Sequence, residues 1–254
     1  MRKTYILIIA VALAAGALAV GADAALLKVG KLVVTTDSTF TPKTLPKRAF
    51  APVFVHATAS IRSTDGGSPP ALAHLSVGLD RNNKLDTRGL PTCDPASLAN
   101  TTPLQARNLC PRAIVATGHL TSRISRPGER PFDARSPLTA FNGPKVGGDA
   151  TVVLHSYMQF PQAETYIVTA RLIGSGGNGA HGYHLVADLP PIDGGYGVLT
   201  HIDVKIGRRY KHNGHRLSYT SARCLSGILF THGRFVFADG TVLDGSIYRP
   251  CAAG

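Results

Sequence analysis

The sequence predicts an all-β fold, mainly antiparallel, built as a β-sandwich or a strongly curved sheet with a short helical insert bracketed by a disulfide. Three observations predict this class. Apolar and polar residues alternate with a period of two through most of the chain. The 27 Gly and 17 Pro indicate many turns, and a charged fraction of 17% is too low for coiled coils or long surface helices. No repeat of 20 to 50 residues is visible, which argues against propellers and solenoids.

The first 24 residues predict a secretory signal peptide. Arg2 and Lys3 precede an apolar run, and Ala22-Asp23-Ala24 has the small side chains that a signal peptidase accepts. The alternative is an uncleaved membrane anchor, because residues 5–22 are just long enough to span a bilayer. Beyond this segment we predict an N-terminal linker with an entry strand over residues 25–52 and a single β-rich domain over residues 53–254.

The β-rich domain begins with a clear alternation, in which the odd-numbered residues from Val53 to Ile61 are apolar. Each alternating segment is expected to have one buried face and one solvent-exposed face, as in antiparallel sheets. In the segment 198–206 we expect Val198, Thr200 and Ile202 to share a face opposite His201. The other strands are predicted at residues 74–80, 114–123, 132–141, 151–158, 166–173 and 183–189.

Two dipeptides predict tight hairpins. Asn213-Gly214 and Asp239-Gly240 each stand between strand-like segments. Both can supply the positive φ angles that a two-residue type I′ turn requires.

A helical insert is predicted between two cysteines. Asp94-Pro95 and Thr102-Pro103 each combine an N-cap residue with Pro at the first helical position, which predicts short helices near 95–100 and 103–109. We expect these helices to pack onto the sheet through Leu98, Leu104 and Leu109.

The four cysteines follow the predicted export signal and are even in number, which favours two disulfides. Three pairings are possible. We favour the two in which the partners are close in sequence, Cys93–Cys110 and Cys224–Cys251. A metal site is the weaker interpretation, because no CxxC occurs.

Several short motifs are distributed along most of the chain after the predicted signal peptide. They are Gly89-Leu90-Pro91-Thr92-Cys93, Cys110, residues 113–118, Pro131-Phe132, Ala140-Phe141-Asn142-Gly143, His155-Ser156-Tyr157, Ser218-Tyr219, Cys224, Phe235-x-Phe237-x-Asp239-Gly240 and Arg249-x-Cys251. In these motifs the chain resembles a group of secreted actinobacterial proteins to which no activity is assigned. The resemblance implies secretion and disulfides, and it implies no mechanism.

The ten His residues suggest no metal site. In His181-x-x-His184 the spacing is expected to place the side chains on opposite faces of a strand. His212 and His215 flank a two-residue turn and are expected to face each other, but no third ligand is evident. Hydrolase signatures such as G-x-S-x-G and H-E-x-x-H are missing from the sequence. We therefore assign no catalytic residue, no metal ligand and no cofactor.

A basic cluster is the remaining feature. The whole chain carries +12, and loss of Arg2, Lys3 and Asp23 with a signal peptide leaves +11. The cations gather around the Asn213-Gly214 hairpin, where they could bind anionic cell-wall polymers or lipid headgroups. Export makes nucleic acid an unexpected partner. The predicted anion-binding residues are Lys205, Arg208, Arg209, Lys211 and Arg216.

These features predict a secreted bacterial protein, a non-catalytic binding or structural module of the cell envelope with affinity for anionic surfaces. One alternative is a carrier that holds a lipid or other apolar ligand in a curved sheet. A secreted hydrolase is a third interpretation, since a Ser-His-Asp set brought together by folding leaves no trace in sequence spacing.

Overall fold

The structure, a computed structural model, describes residues 24–175 and 180–254. The predicted signal peptide, residues 1–24, lies outside the described residues except for Ala24. None of the helices in the described part is long and apolar enough to cross a membrane.

The described residues form 19 strands, two short α-helices and one 3₁₀ turn. In chain order they are β1 (Ala25–Val29), β2 (Leu32–Thr41), β3 (Thr44–Leu45), β4 (Ala51–Pro52), β5 (Phe54–Ser63), β6 (Leu72–Asp80), β7 (Asn83–Leu85), α1 (Pro95–Leu98), α2 (Pro103–Leu109), β8 (Ile114–Ile124), β9 (Phe132–Val146), β10 (Asp149–Met158), β11 (Glu164–Gly174), β12 (His181–Asp188), the 3₁₀ turn (Asp193–Gly195), β13 (Gly197–Ile206), β14 (Arg209–His212), β15 (His215–Ser218), β16 (Thr220–Ala222), β17 (Ile228–Phe237), β18 (Val242–Pro250) and β19 (Ala252–Ala253).

Twelve strands build one antiparallel sheet in the order β1-β2-β5-β13-β8-β9-β10-β11-β12-β6-β17-β18. The sheet curls until it is nearly barrel-shaped, so the predicted all-β class is confirmed. Of the two predicted architectures, the structure has the strongly curved sheet rather than the sandwich. Curling places one face of every strand inside and the other face in solvent.

The segment 25–52 contributes more to the sheet than the predicted linker and single entry strand. β1 and β2 form a hairpin, and β2 pairs along its whole length with β5, from Leu32↔Ser63 to Thr41↔Phe54. β2 buries Val34 and Phe40 on the inner face. Residues 25–41 are therefore part of the wall of the curled sheet.

The two edges of the sheet meet along a seam that side chains close. β18 makes no backbone ladder with β1 or β2 in the described residues. Near one end, Leu27 packs so closely against Gly245 that a Cβ there would lie 2.4 Å from its Cδ2. Near the other end, Arg249 donates to the backbone oxygen of Ser38 and to the carboxylate of Asp37. The wall is thus continuous in packing but interrupted in hydrogen bonding.

Each end of the curled sheet is covered. A three-stranded sheet in the order β4-β16-β7 closes one end, which we call the capped end, and Tyr219 is buried beneath it. At the opposite end, Ile192 packs with Ile124, Ala134 and Met158. We call this the closed end.

The helical insert forms as predicted, with one correction in its packing. The Asp94 carboxylate accepts from the Ala96 N–H at 3.0 Å, and Thr102 with Gln105 forms a capping box. Leu98 is fully buried, but Leu104 and Leu109 are exposed, so the expectation that both leucines pack onto the sheet is wrong. Ala106 takes that place in the cluster with Leu98, Phe141 and Val153, and Leu104 points away from it because two residues correspond to about 200° around a helix.

Both favoured disulfides are present. Cys93 bonds to Cys110 across the helical insert, and Cys224 bonds to Cys251 between the capping sheet and the end of β18. No described cysteine is free. Disulfides of this kind indicate an oxidising, extracellular environment.

The two predicted hairpin turns differ. Asn213 and Gly214 both have positive φ, as the type I′ turn requires. At the second hairpin only Gly240 has positive φ, and the Asp239 carboxylate accepts from the Thr241 N–H. The type I′ prediction is therefore wrong for Asp239-Gly240, which belongs to a four-residue loop between β17 and β18.

A bulge changes which residues of one strand face the interior. In β13 the register shifts between Leu199 and His201, so Thr200 is the extra residue. As a result Leu199 is buried inside together with Ile202, and the predicted shared face for Val198, Thr200 and Ile202 is wrong at its first two positions.

Candidate ligand-binding cavity

The curled sheet encloses an apolar cavity of about 430 Å³. Aliphatic side chains from most strands form its wall, because alternation turns every second residue inward. The wall is made chiefly of Val55, Ala57, Leu75, Val77, Leu79, Leu120, Leu138, Leu154, Val168, Leu172, Leu185, Ile202 and Val204.

The middle of this wall is not packed like an ordinary core. Val77, Leu154 and Val204 face the interior, yet they are only half-buried. Protein cores are normally close-packed, with few voids larger than a water molecule. Residues nearer the two ends do reach full burial, as Ala170 and Phe237 show. The interior is therefore packed at its ends and open in its centre.

Three buried serines interrupt the apolar wall, which also includes the less buried Thr36 and Ser38 on β2. Ser122, Ser136 and Ser156 lie on the neighbouring strands β8, β9 and β10 and border the cavity. Each is only 5% exposed, and among the described residues none of their hydroxyls has a hydrogen-bond partner. We call these three residues the serine stripe.

A further buried hydroxyl borders the cavity at the capped end. Tyr219 is 3% exposed, and burial raises the pKa of its phenol well above the ordinary value. The phenol is therefore neutral at physiological pH and can donate a hydrogen bond.

The charged groups that border the cavity lie at the seam and the capped end. Arg249 is engaged with Asp37 and Ser38 at the seam. Lys84 extends from β7 toward Asp86, with its Nζ 3.6 Å from the carboxylate. Hydrogen bonds from Arg88 lower the pKa of Asp86 to about 2, so this carboxylate stays ionised. No charged side chain of the described residues borders the cavity at the serine stripe.

A polar network that adjoins the apolar cluster holds the closed end, and Tyr166 takes part in both. Arg126 donates to Asp193 at 2.5 and 2.8 Å, and the Asp193 N–H donates to the Tyr166 hydroxyl at 2.9 Å. Tyr166 itself donates to Glu164. Burial is the main cause that raises the pKa of Tyr166 above its ordinary value, and the hydrogen bond to Glu164 raises this pKa further. These contacts hold the 3₁₀ turn over the end of the sheet.

The predicted anion-binding residues lie outside the cavity and divide into two groups. Lys205 and Arg208 line an open cleft of about 530 Å³ beside Phe54. Arg208 donates to the backbone oxygens of Pro111 and Ile114, at 3.2 and 2.8 Å, so its guanidinium holds the chain after α2 in place.

The other three cations share one face of the β14–β15 hairpin. Lys211 stands directly opposite Arg216, and Arg209 is two residues away with its guanidinium 5.4 Å from the Phe54 ring centroid. All three side chains are exposed, and none forms an ion pair with the described residues.

A histidine cluster lies on the outer face and was missed by the spacing argument. A register shift between His181 and Tyr183 makes Gly182 an extra residue, so His181 and His184 share a face with ring centroids 5.0 Å apart. His232 on β17 lies 6.0 Å from His181. The expectation of opposite faces was wrong because a bulge cannot be read from residue spacing.

The described residues contain no set of three or more His, Cys, Asp or Glu arranged to hold a metal ion. His212 pairs directly with His215 across the turn, as expected. The His212 ring also packs over Gly89, where a Cβ would lie 2.1 Å from its Nδ1. Gly89 is therefore required by close approach as well as by its positive φ.

Comparison of the chain with protein-family models, with curated proteins and with solved structures gives no match. The cavity and its surroundings are therefore the basis for a functional conclusion.

Proposed function

We propose that this protein is a secreted carrier that binds an apolar ligand inside the curled sheet. The observation that carries the proposal is the apolar cavity of about 430 Å³, whose central wall residues are only half-buried. Small-molecule sites in proteins commonly have volumes of about 300–1,000 Å³ and mainly apolar linings. The cavity meets both criteria.

The energetics favour an occupied cavity. Aliphatic side chains that face empty space lose the contacts that a close-packed core would give them. An apolar ligand restores those contacts and removes its own surface from water, which contributes about 25 cal/mol for each Å² buried. The folded state thus gains stability when a ligand of suitable shape enters.

The remaining features suit a carrier that works outside the cell. The two disulfides are compatible with an oxidising compartment; one closes the helical insert, and the other joins the capping sheet to the end of β18. At the seam between β18 and the β1–β2 hairpin the described residues form no backbone ladder, so the seam can open without breaking one. We propose this seam as the entrance for the ligand.

Binding can be tested with diphenylhexatriene, an uncharged fluorophore that emits in apolar surroundings. Protein stripped of bound lipid by reversed-phase extraction and refolded with its disulfides is titrated with the probe. The proposal expects saturable emission with one site per chain and a higher unfolding temperature for the complex. Absence of saturable emission from a refolded, fully oxidised protein would remove the carrier proposal.

A second candidate function is attachment to an anionic surface such as a cell-wall polymer or lipid headgroups. Its support is the exposed cationic face formed by Arg209, Lys211 and Arg216, which has no ion-pair partner among the described residues. The triple substitution of these residues by Ala is expected to lower the salt concentration that elutes the protein from a polyanion resin. A matched triple substitution of Lys28, Lys47 and Arg48 by Ala, which removes the same charge elsewhere, is the control. Equal shifts for both variants would show net charge rather than a docking face.

A further inference from the structure

We infer that the ligand carries one neutral polar group, an alcohol or an ester carbonyl, which the serine stripe binds at the closed end of the cavity. This inference rests on the proposed carrier function and specifies the class of ligand. Its starting point is that Ser122, Ser136 and Ser156 are nine-tenths buried, aimed into an apolar cavity, and without partners among the described residues.

The register of the sheet brings the three serines together. Ser136 lies opposite Leu120, and Ser122 lies opposite Ala134, so Ser122 and Ser136 are diagonal neighbours on β8 and β9. Ser156 lies opposite Leu138, which makes it the diagonal neighbour of Ser136 on β10. Diagonal neighbours in a sheet are about 7–8 Å apart. One ligand oxygen between two of these hydroxyls can therefore bond to both.

Three inward serines on adjacent strands oppose the apolar pattern of the wall. A hydroxyl that faces an apolar cavity makes fewer hydrogen bonds than it would make in bulk water, which costs free energy. A ligand oxygen at the stripe restores those bonds, because each hydroxyl can both donate and accept. The stripe is thus costly in an empty cavity and favourable in one that holds a polar group there.

The surroundings of the stripe favour a neutral group over a carboxylate. The cations that border the cavity, Lys84 and Arg249, lie at the capped end and the seam, and Arg249 is already engaged with Asp37. A carboxylate at the stripe would be buried without a counter-ion, which is strongly unfavourable. A neutral alcohol or ester requires only hydrogen bonds.

The stripe also orients the ligand. Ser122, Ser136 and Ser156 each lie two residues from a member of the cluster Ile124, Ala134 and Met158 that seals the closed end. When the polar group is bound there, the apolar part of the ligand extends toward the capped end and contacts Leu154 and Val204. Tyr219, at the capped end, offers a single buried hydroxyl and is a rival anchor, and the less buried Thr36 and Ser38 on β2 also border the cavity.

The test compares three twelve-carbon ligands that differ only at one end: dodecan-1-ol, dodecanoate and dodecane. Each displaces bound diphenylhexatriene from the wild-type protein, from S122A/S136A/S156A and from the matched variant Y219F. We expect the triple serine variant to weaken dodecan-1-ol about tenfold while leaving dodecane unchanged. We expect Y219F to leave both affinities unchanged.

The outcomes separate the two proposals. If dodecan-1-ol and dodecane respond equally to the serine substitutions, the inference is wrong while the carrier proposal stands. If Y219F alone weakens the alcohol, or if dodecanoate binds best and loses affinity in Lys84→Met, the polar group lies at the capped end and the inference is overturned. If no ligand displaces the probe because the probe itself does not bind, the carrier proposal fails. Chemical unfolding of the triple variant checks that it folds, since removal of partnerless hydroxyls should not destabilise it.

Discussion

Ala57 gives the sharpest distinction between an open cavity and a packed core. It faces the interior from β5, between Ser38 and Val204 on the neighbouring strands, and it borders the cavity. We consider the substitution Ala57→Phe. A cavity of about 150 Å³ accommodates a benzene molecule, so the added ring takes up about a third of the 430 Å³.

The sign of the stability change is the critical result. Inserting a larger side chain into a packed core typically costs about 1–3 kcal/mol. Burying a Phe side chain in available apolar space contributes about 1.5–3 kcal/mol. Ala57→Phe is therefore expected to leave the free energy of unfolding unchanged or to raise it, and to weaken diphenylhexatriene binding at least tenfold.

The assay is equilibrium unfolding in guanidinium chloride on the oxidised protein, combined with probe titration. The control is Ala170→Phe, the same substitution at an inward position on β11 that is 0% exposed and does not border the cavity. The control should lose stability by about 1–3 kcal/mol. If both variants lose the same stability, the interior at Ala57 is packed and the account of the cavity is refuted.

Three further outcomes follow from the same structure. Replacing Cys224 and Cys251 by Ala should lower the free energy of unfolding by about 3 kcal/mol and weaken probe binding, because this disulfide joins the capping sheet to β18. Loss of Cys93–Cys110 should lower the stability by about the same amount without affecting binding, and unchanged binding in the first variant would contradict this prediction. Arg249→Met should lower the free energy of unfolding by about 1–3 kcal/mol, since it removes the contacts to Asp37 and Ser38 that close the seam. The same variant should release the probe faster in stopped-flow measurements, and an unaltered release rate would exclude the seam as the entrance. Burial lowers the pKa of His155, so the folded state resists protonation of this residue; the free energy of unfolding should be fully retained above about pH 6.5, the ordinary His value, and should fall as the pH drops below it. The fall should be smaller in His155→Gln, and an identical pH profile in the two proteins would refute the assignment to His155.

The faces of most strands could be predicted from alternation alone. Val55 and Ala57 point inward as the period of two indicates, and so do Leu75 and Val77. The same pattern describes a packed sandwich and an open, curled sheet equally well, because both need one dry face. The choice between them depends on strand order, which pairs β6 with both β12 and β17 across more than 100 residues. No local signal in the sequence carries that order.

Bulges account for the faces that alternation missed. A single extra residue at Thr200 turns Leu199 inward, and another at Gly182 brings His181 beside His184. On β8, β9 and β10 the cavity had a signal in the sequence, because the serines at positions 122, 136 and 156 interrupt the apolar inward positions of these strands. Its meaning appears only when β8, β9 and β10 are aligned, because the three residues are far apart along the chain.

For the basic cluster, the sequence predicted where the cations lie but not what each of them does. The hairpin places Arg209, Lys211 and Arg216 on one exposed face. Arg208 is next in sequence, yet its guanidinium bonds to the backbone near Pro111. Neighbouring cations thus differ in role because successive residues point to different sides.

The most direct test of the carrier account is native mass spectrometry of the protein exported by a bacterial host and purified without detergent. The account predicts one chain that is four hydrogens lighter than its reduced form, carrying one small apolar molecule with an alcohol or ester group that is released on denaturation. A bare oxidised chain that also takes up no diphenylhexatriene would contradict the account.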